Sequence, residues 1–267
     1  MRRDRIGMSV VVFVGSLLWA HPALQAQRLG PAIVPLTAAP LPLNRIVENL
    51  QARNAQRAAA LDALVGTRVY RMQYRGFPKD LDAEMVVSLT YHAPNSKQFR
   101  VISETGSKFI IDHVFKKLLE GEQEAVNDDN RRRTALSADN YDFSLEGYED
   151  SPEGGRYILD LLPKTRNKFL YRGKIWVDAT DFAVVRIEGE PGKNPSFWIK
   201  KTEIEHKYIK VNDFWLPEEN HTESLIRLGG RATLTIEYRD YKITQSTPLH
   251  AGADLINAPG SRTVVNR

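Results

Sequence analysis

Cysteine is absent from all 267 residues. That excludes disulfides, thiolate metal centres and cysteine nucleophiles, and it leaves no thiol to carry a lipid. The chain also lacks an excess of one charge: 37 Lys and Arg face 33 Asp and Glu, and the net +4 is spread along its length. So weak and diffuse a balance argues against a nucleic-acid surface. Enzyme signatures are missing too. His92, His113, His206, His221 and His250 show neither HExxH nor HxxxH spacing, and there is no G-x-S-x-G elbow, P-loop or G-x-G-x-x-G. The expectation is a non-enzymatic protein with no metal or other cofactor.

Long apolar runs are scarce. The one exception is Ile6–Ala20, fifteen residues without a charge behind a basic start at Arg2, Arg3 and Arg5. It is shorter than the roughly 20 residues that span a bilayer. Small residues follow at Ala23 and Ala26. This is the layout of a secretory signal peptide over residues 1–26, with an uncleaved anchor as the alternative. Cleavage would remove Arg2, Arg3, Arg5 and Asp4 and lower the net charge to +2.

Residues 27–43 carry Pro31, Pro35, Pro40 and Pro42 and read as an extended linker, since proline has no amide proton to give a helix or a sheet. Ile46, Val47, Leu50, Ala58, Leu61, Leu64 and Val65 then recur at mostly helical spacing, which predicts a helix over 44–65. From Thr67 the period changes to two. Tyr70, Met72 and Tyr74 alternate with Arg71, Gln73 and Arg75, and Met85, Val87, Leu89 and Tyr91 with Val86, Ser88 and Thr90. With Phe99 and Val101 these make a meander of three strands. Ile110, Ile111, Val114, Phe115, Leu118 and Leu119 interrupt it as an amphipathic helix. The stretch 127–133, NDDNRRR, reads as a solvated polar loop. Strands resume at Tyr141, with candidates at 155–162, 168–178, 182–189, 197–210, 214–228 and 231–243. Residues 246–267 form a polar tail.

Strands in succession without alternating helices argue against a doubly wound fold. The expected class is α+β: a strongly curved antiparallel sheet of about ten strands, an unclosed barrel over 44–245, with the two helices covering its concave face. Several strands are apolar on both sides, as where Tyr157, Leu159 and Leu161 oppose Ile158 and Leu162. Such strands need cover on both faces, or one face lines an apolar cavity. A filled core explains the same pattern. By strand parity and helix face, the candidate liners of a lipid cavity are Tyr70, Met72, Met85, Val87, Leu89, Phe99, Tyr157, Leu159, Phe169 and Tyr171, with Val114, Phe115 and Leu118 from the inserted helix. Glu120-Gly-Glu122-Gln-Glu124 and the pair Asp178 and Asp181 are explained by a solvated face and by turn chemistry. Phe197-Trp198-Ile199-Lys200-Lys201 and Phe169-Leu170-Tyr171-Arg172 look superficially like RNA-binding runs, but basic sheet edges look the same.

One passage is more specific. Phe169-Leu170-Tyr171-Arg172-Gly173-Lys174-Ile175-Trp176-Val177-Asp178, followed by Val184-Val185-Arg186-Ile187, resembles the strand-turn-strand of outer-membrane lipoprotein-sorting proteins, the LolA/LolB/RseB-like superfamily. Phe214-Trp215-Leu216-Pro217 and Ile236–Tyr241 resemble its terminal hairpins. The resemblance spans about 44–243. It implies an open barrel with helices over its mouth, a periplasmic location, and shielding of the acyl chains of lipoproteins or lipids. It equally allows a sensing module that binds a membrane-protein partner. A monomer without nucleic acid is expected. The long strands over 197–228 and the missing lipid-bearing cysteine depart from the family pattern.

Overall fold

In the computed structural model, the described residues are the backbone at Ile33–Val34 and residues 41–246, apart from 95, 126–131, 151–153, 195 and 228. The predicted signal peptide, most of the linker, most of the 127–133 loop and all of the tail but Ser246 lie outside them.

The strands are β1 (Ile33–Val34), β2 (Leu61–Gly76), β3 (Leu81–His92), β4 (Ser96–Gly106), β5 (Tyr141–Glu149), β6 (Arg156–Pro163), β7 (Tyr171–Asp178), β8 (Val184–Pro191), β9 (Ile199–Val211), β10 (Phe214–Ile226) and β11 (Gly230–Gln245). They form one sheet in the order β1-β5-β6-β7-β8-β9-β10-β11-β2-β3-β4, antiparallel at every pairing. β1 is a stub of two residues, so the body of the sheet has the expected ten strands. β1 and β4 do not meet, and the barrel stays open.

Helix α1 (Leu43–Ala60) buries Ile46, Val47 and Leu50. It stops five residues short of the predicted end at 65. The Leu61, Leu64 and Val65 spacing suits either period, and pairing decides: Ala63, Leu64 and Val65 lie between partners on β11 and β3. A strand there satisfies the backbone on both sides, whereas one more helical turn would leave two strands unpaired. The inserted helix follows β4 as α2 (Lys108–Ile110), a π-helical turn (Ile111–Phe115) and α3 (Lys116–Ala125).

Two glycines allow β7 and β8 to approach closely. Gly173 on β7 faces Gly189 on β8, and a Cβ on Gly173 would stand 2.2 Å from the Glu188 carbonyl oxygen. Gly173 also has φ +144°, in the region that favours glycine. Glycines placed this way let adjacent strands fold sharply together.

The apolar residues fall into three clusters. The inserted helix packs on β2, β3 and β11, where Ile110, Ile111, Val114, Phe115 and Leu119 meet Tyr70, Met72, Met85, Val87, Leu234 and Ile236. Helix α1 packs on β5 to β8 against Tyr141, Tyr157, Leu159, Leu161, Ile175, Val177 and Ile187. Ala60, Leu64, Leu89, Phe214 and Leu216 form a smaller third cluster.

Candidate functional site

Register defines the inner face. One row of partners runs Leu145, Leu159, Ile175, Ile187, His206, Asn220, Ile236, Tyr70, Met85 and Glu104 across β5 to β8, then β9, β10, β11, β2, β3 and β4. Apart from Glu104 on the edge strand its two wings are apolar, and its middle is polar. The next rows repeat the pattern, with Thr202, Thr222 and Ser224 buried on β9 and β10. Thr202 Oγ1 and Ser224 Oγ bond each other at 3.0 Å. Each wing has its own helix, and a polar seam lies between them.

The candidate liners divide accordingly. Tyr70, Met72, Met85 and Val87 are buried under the inserted helix, which contributes the buried Val114 and Phe115, with Phe99 and Leu118 partly buried at the margin. Leu89 belongs to the third cluster, where Phe99 also packs. Tyr157 and Leu159 lie under α1, with Tyr171 partly buried beside them. Phe169 stands apart: it precedes β7, is 41% exposed and carries Lys168 Nζ over its ring at 4.8 Å. Leu170, at 0% exposure, takes the buried place that strand parity assigned to Phe169. The thirteen residues therefore belong to two helix-covered wings and a rim. Tyr70, Met85, Val87, Phe115 and Leu159 are each 0% exposed, so a chain reaches them only if a helix shifts.

The wing under the inserted helix and the seam both hold residues that sequence reading missed. Arg68 lies on the same side of β2 as Tyr70, its side chain 7% exposed, and donates to Glu122 Oε1 of α3 at 2.6 Å and to the Tyr70 hydroxyl at 3.1 Å. Lys97 of β4 donates to Glu122 Oε2 at 2.8 Å. Arg68 also stacks on Phe99 and Tyr238, 5.3 and 4.9 Å from the ring centres. Burial alone would raise the Glu122 carboxyl; Arg68 and then Lys97 overcome it and hold the group below the usual carboxylate range. Burial works against the Arg68 charge, and Glu122 overcomes it, so the guanidinium stays protonated. Burial pushes the hydroxyls of Tyr70 and Tyr208 up to about 12. Glu122 is thus an anchor of the helix and not part of a solvated face. The signal was present: Arg68 shares even parity with Tyr70 and Met72, which puts a cation on an apolar face.

His206 is the second omission. It is 6% exposed, meets the Tyr171 ring edge-on at 5.4 Å, and its Nε2 has no partner among the described residues. Burial pushes its imidazole down to about 4, so it is neutral at neutral pH. Asp178 does the turn work predicted for it, accepting from the amides of Thr180 and Asp181. Asp181 instead joins Lys210, at 2.6 Å, and the Trp215 indole, at 2.8 Å. Among the described residues no group of three His, Asp or Glu side chains could hold a metal ion, and no helix is long and apolar enough to cross a membrane.

The fold defines a class: an open antiparallel barrel whose inner face is covered by helices. Among solved structures, this chain is similar to a DUF1329 family protein from Desulfovibrio piger (14% identity, TM-score 0.39, covering 76% of this chain and 93% of the other). It is similar to a putative outer membrane lipoprotein-sorting protein domain from Vibrio parahaemolyticus (11%, 0.38, 75% and 93%) and to a LolA superfamily protein from Nitrosomonas europaea (10%, 0.32, 78% and 96%). These are likenesses of fold. No family model matches the sequence, and no curated protein does.

Proposed function

We propose that the protein is a non-enzymatic binding protein of the periplasm that shields acyl chains of lipoproteins or lipids between its inner face and the inserted helix. The observation that carries this reading is how the helix is held. It covers the β2, β3 and β11 wing through side chains: an apolar stripe, the Glu122 anchor, and Lys116 near Glu104 at 3.5 Å. A cover attached by side chains can move away from a sheet whose own hydrogen bonds stay intact.

Magnitudes support such an exchange. Ile110, Ile111, Val114, Phe115 and Leu119 are all buried. At about 1.5–3 kcal/mol each, their burial is worth roughly 7–15 kcal/mol before entropy is charged. A chain of about twelve methylenes, at about 0.8 kcal/mol each, gains about 10 kcal/mol from the same surface. The two are close enough to compete. In the filled state Tyr70, Met72, Met85 and Val87 line the sheet side, Val114, Phe115 and Leu118 the helix side, and Leu89 and Phe99 the margin. Tyr157, Leu159 and Tyr171 would serve a second chain under α1, with Phe169 at its rim.

A fluorescent fatty acid titrated into the protein tests the reading. Saturable binding is expected, and Leu118→Asp, at the half-buried margin, should weaken it at least about tenfold with little change in thermal stability. Equal loss of binding and fold would mean that the stripe is simple core.

A further inference from the structure

The alternation of strand directions sends successive connections to opposite ends of the sheet, and the two ends differ in chemistry. One end gathers the segment before β5, the β6–β7, β8–β9, β10–β11 and β2–β3 connections, and the start of α2. The β6–β7 connection contains Lys164, Arg166 and Lys168, the β8–β9 connection Lys193 and the β10–β11 connection Arg227, with no acid among them. Asp80 and Asp139 are the acids in the other described connections of this end. At the opposite end the described connections carry Asp150, Asp181 and Asp213 and no Lys or Arg, although Arg57 of α1 and Lys210 of β9 reach Asp181 there.

Aromatic residues follow the same division. Every exposed Phe or Trp among the described residues lies at the basic end: Phe77 at 79%, Phe197 at 74%, Phe109 at 51%, Trp198 at 43% and Phe169 at 41%. Several are paired with cations. Arg227 lies over the Phe197 ring at 4.9 Å, and Phe197 meets Trp198 at 5.6 Å. Beside them Arg133, Arg166, Lys168 and Lys193 line an open cavity of about 590 Å³ whose other walls are Asn and Thr.

From this juxtaposition we infer that the basic, aromatic end docks on the surface of an anionic lipid bilayer. Exposed aromatic rings cost free energy in water and are stabilised at the headgroup boundary, where their apolar bodies insert and their neighbours stay wet. Clustered Lys and Arg at the same level meet lipid phosphates. The acidic opposite end would be repelled, so orientation follows from charge. An acidic protein partner would suit the cations but would give no reason for five exposed rings drawn from four separate segments of the chain. The proposal does not depend on what the inner face holds.

The test is flotation of residues 27–267 with vesicles of phosphatidylglycerol and phosphatidylethanolamine, and in parallel with phosphatidylcholine. Binding to the anionic vesicles is expected, falling with salt. Trp198 should be quenched by brominated acyl chains, judged against Trp198→Phe. Lys168→Gln with Lys193→Gln should lower partitioning by about 25-fold, about five-fold per basic residue. Phe197→Ser should weaken binding while leaving its salt dependence. All these positions lie in connections, and a thermal melt checks that each variant folds. Equal binding to both vesicle types, no binding, or binding indifferent to the charge changes would overturn the proposal. So would saturable binding of inorganic phosphate without binding of vesicles.

Discussion

Phe115 offers the sharpest perturbation of the inserted helix. Its ring is 0% exposed and meets the Tyr70 ring at 5.8 Å between centres, in the middle of the helix-covered wing. Truncation in Phe115→Ala removes the ring and leaves a void among Tyr70, Met85 and Val87, which are also fully buried. The usual cost of that change is about 3–5 kcal/mol, part transfer and part cavity. If the ring were plain core, nothing further would follow. If it occupies space that a chain can take, the void is an apolar site waiting for a ligand. The variant should then lose about 3–5 kcal/mol in urea unfolding without ligand, yet bind a fluorescent fatty acid more tightly than the parent. Saturating fatty acid should recover much of the lost stability, because a ligand that binds the folded state alone stabilises it; about 100 times its Kd recovers about 2.7 kcal/mol. A variant that is destabilised, binds no better and is not rescued would refute the exchange mechanism.

Three other outcomes follow from the seam and the sheet. Glu122→Gln strands the buried Arg68 guanidinium and should cost roughly 3 kcal/mol, whereas Glu122→Gln with Arg68→Met should cost less, in a double-mutant cycle by urea unfolding. His206, neutral and held down to about 4, gives a pH dependence of definite sign. The unfolded imidazole takes a proton near 6.5, so between there and about 4 the unfolded chain binds more protons and stability falls as pH drops, by up to about 3 kcal/mol; His206→Gln should flatten that window. Gly173→Ala sets a Cβ 2.2 Å from the Glu188 carbonyl oxygen at φ +144°, and should lower the melting temperature by well over 5 °C where Gly121→Ala, whose Cβ would meet no atom within 4 Å, does not.

Much of the sheet was legible because its strands are two-sided in pattern. The period-two runs around Tyr70 and Met85 and the stripe from Ile110 to Leu119 place β2, β3 and the inserted helix near their observed bounds. Local pattern failed where two periods coincide, as at Leu61, Leu64 and Val65, which fit a helix face until β11 supplies partners. It also failed where a strand starts late. β7 begins at Tyr171, so Phe169 falls in the preceding connection and Leu170 turns inward. Division of the inner face into two wings was out of reach, because the polar strip of His206, Asn220, Thr202 and Ser224 becomes a strip only once β9 and β10 are placed in mid-sheet. Arg68 and Glu122 are 54 residues apart and on different elements, so their pairing is a tertiary fact. The basic, aromatic end has the same origin: its residues come from separate connections that antiparallel order brings to one rim.

Native mass spectrometry of the protein released from its own cell envelope tests the shielding of acyl chains most directly. The account predicts a folded species heavier than the bare chain by the mass of one or more acyl-bearing molecules, lost on mild activation and reduced in Leu118→Asp. A uniformly bare chain, from an envelope rich in such molecules, would contradict it.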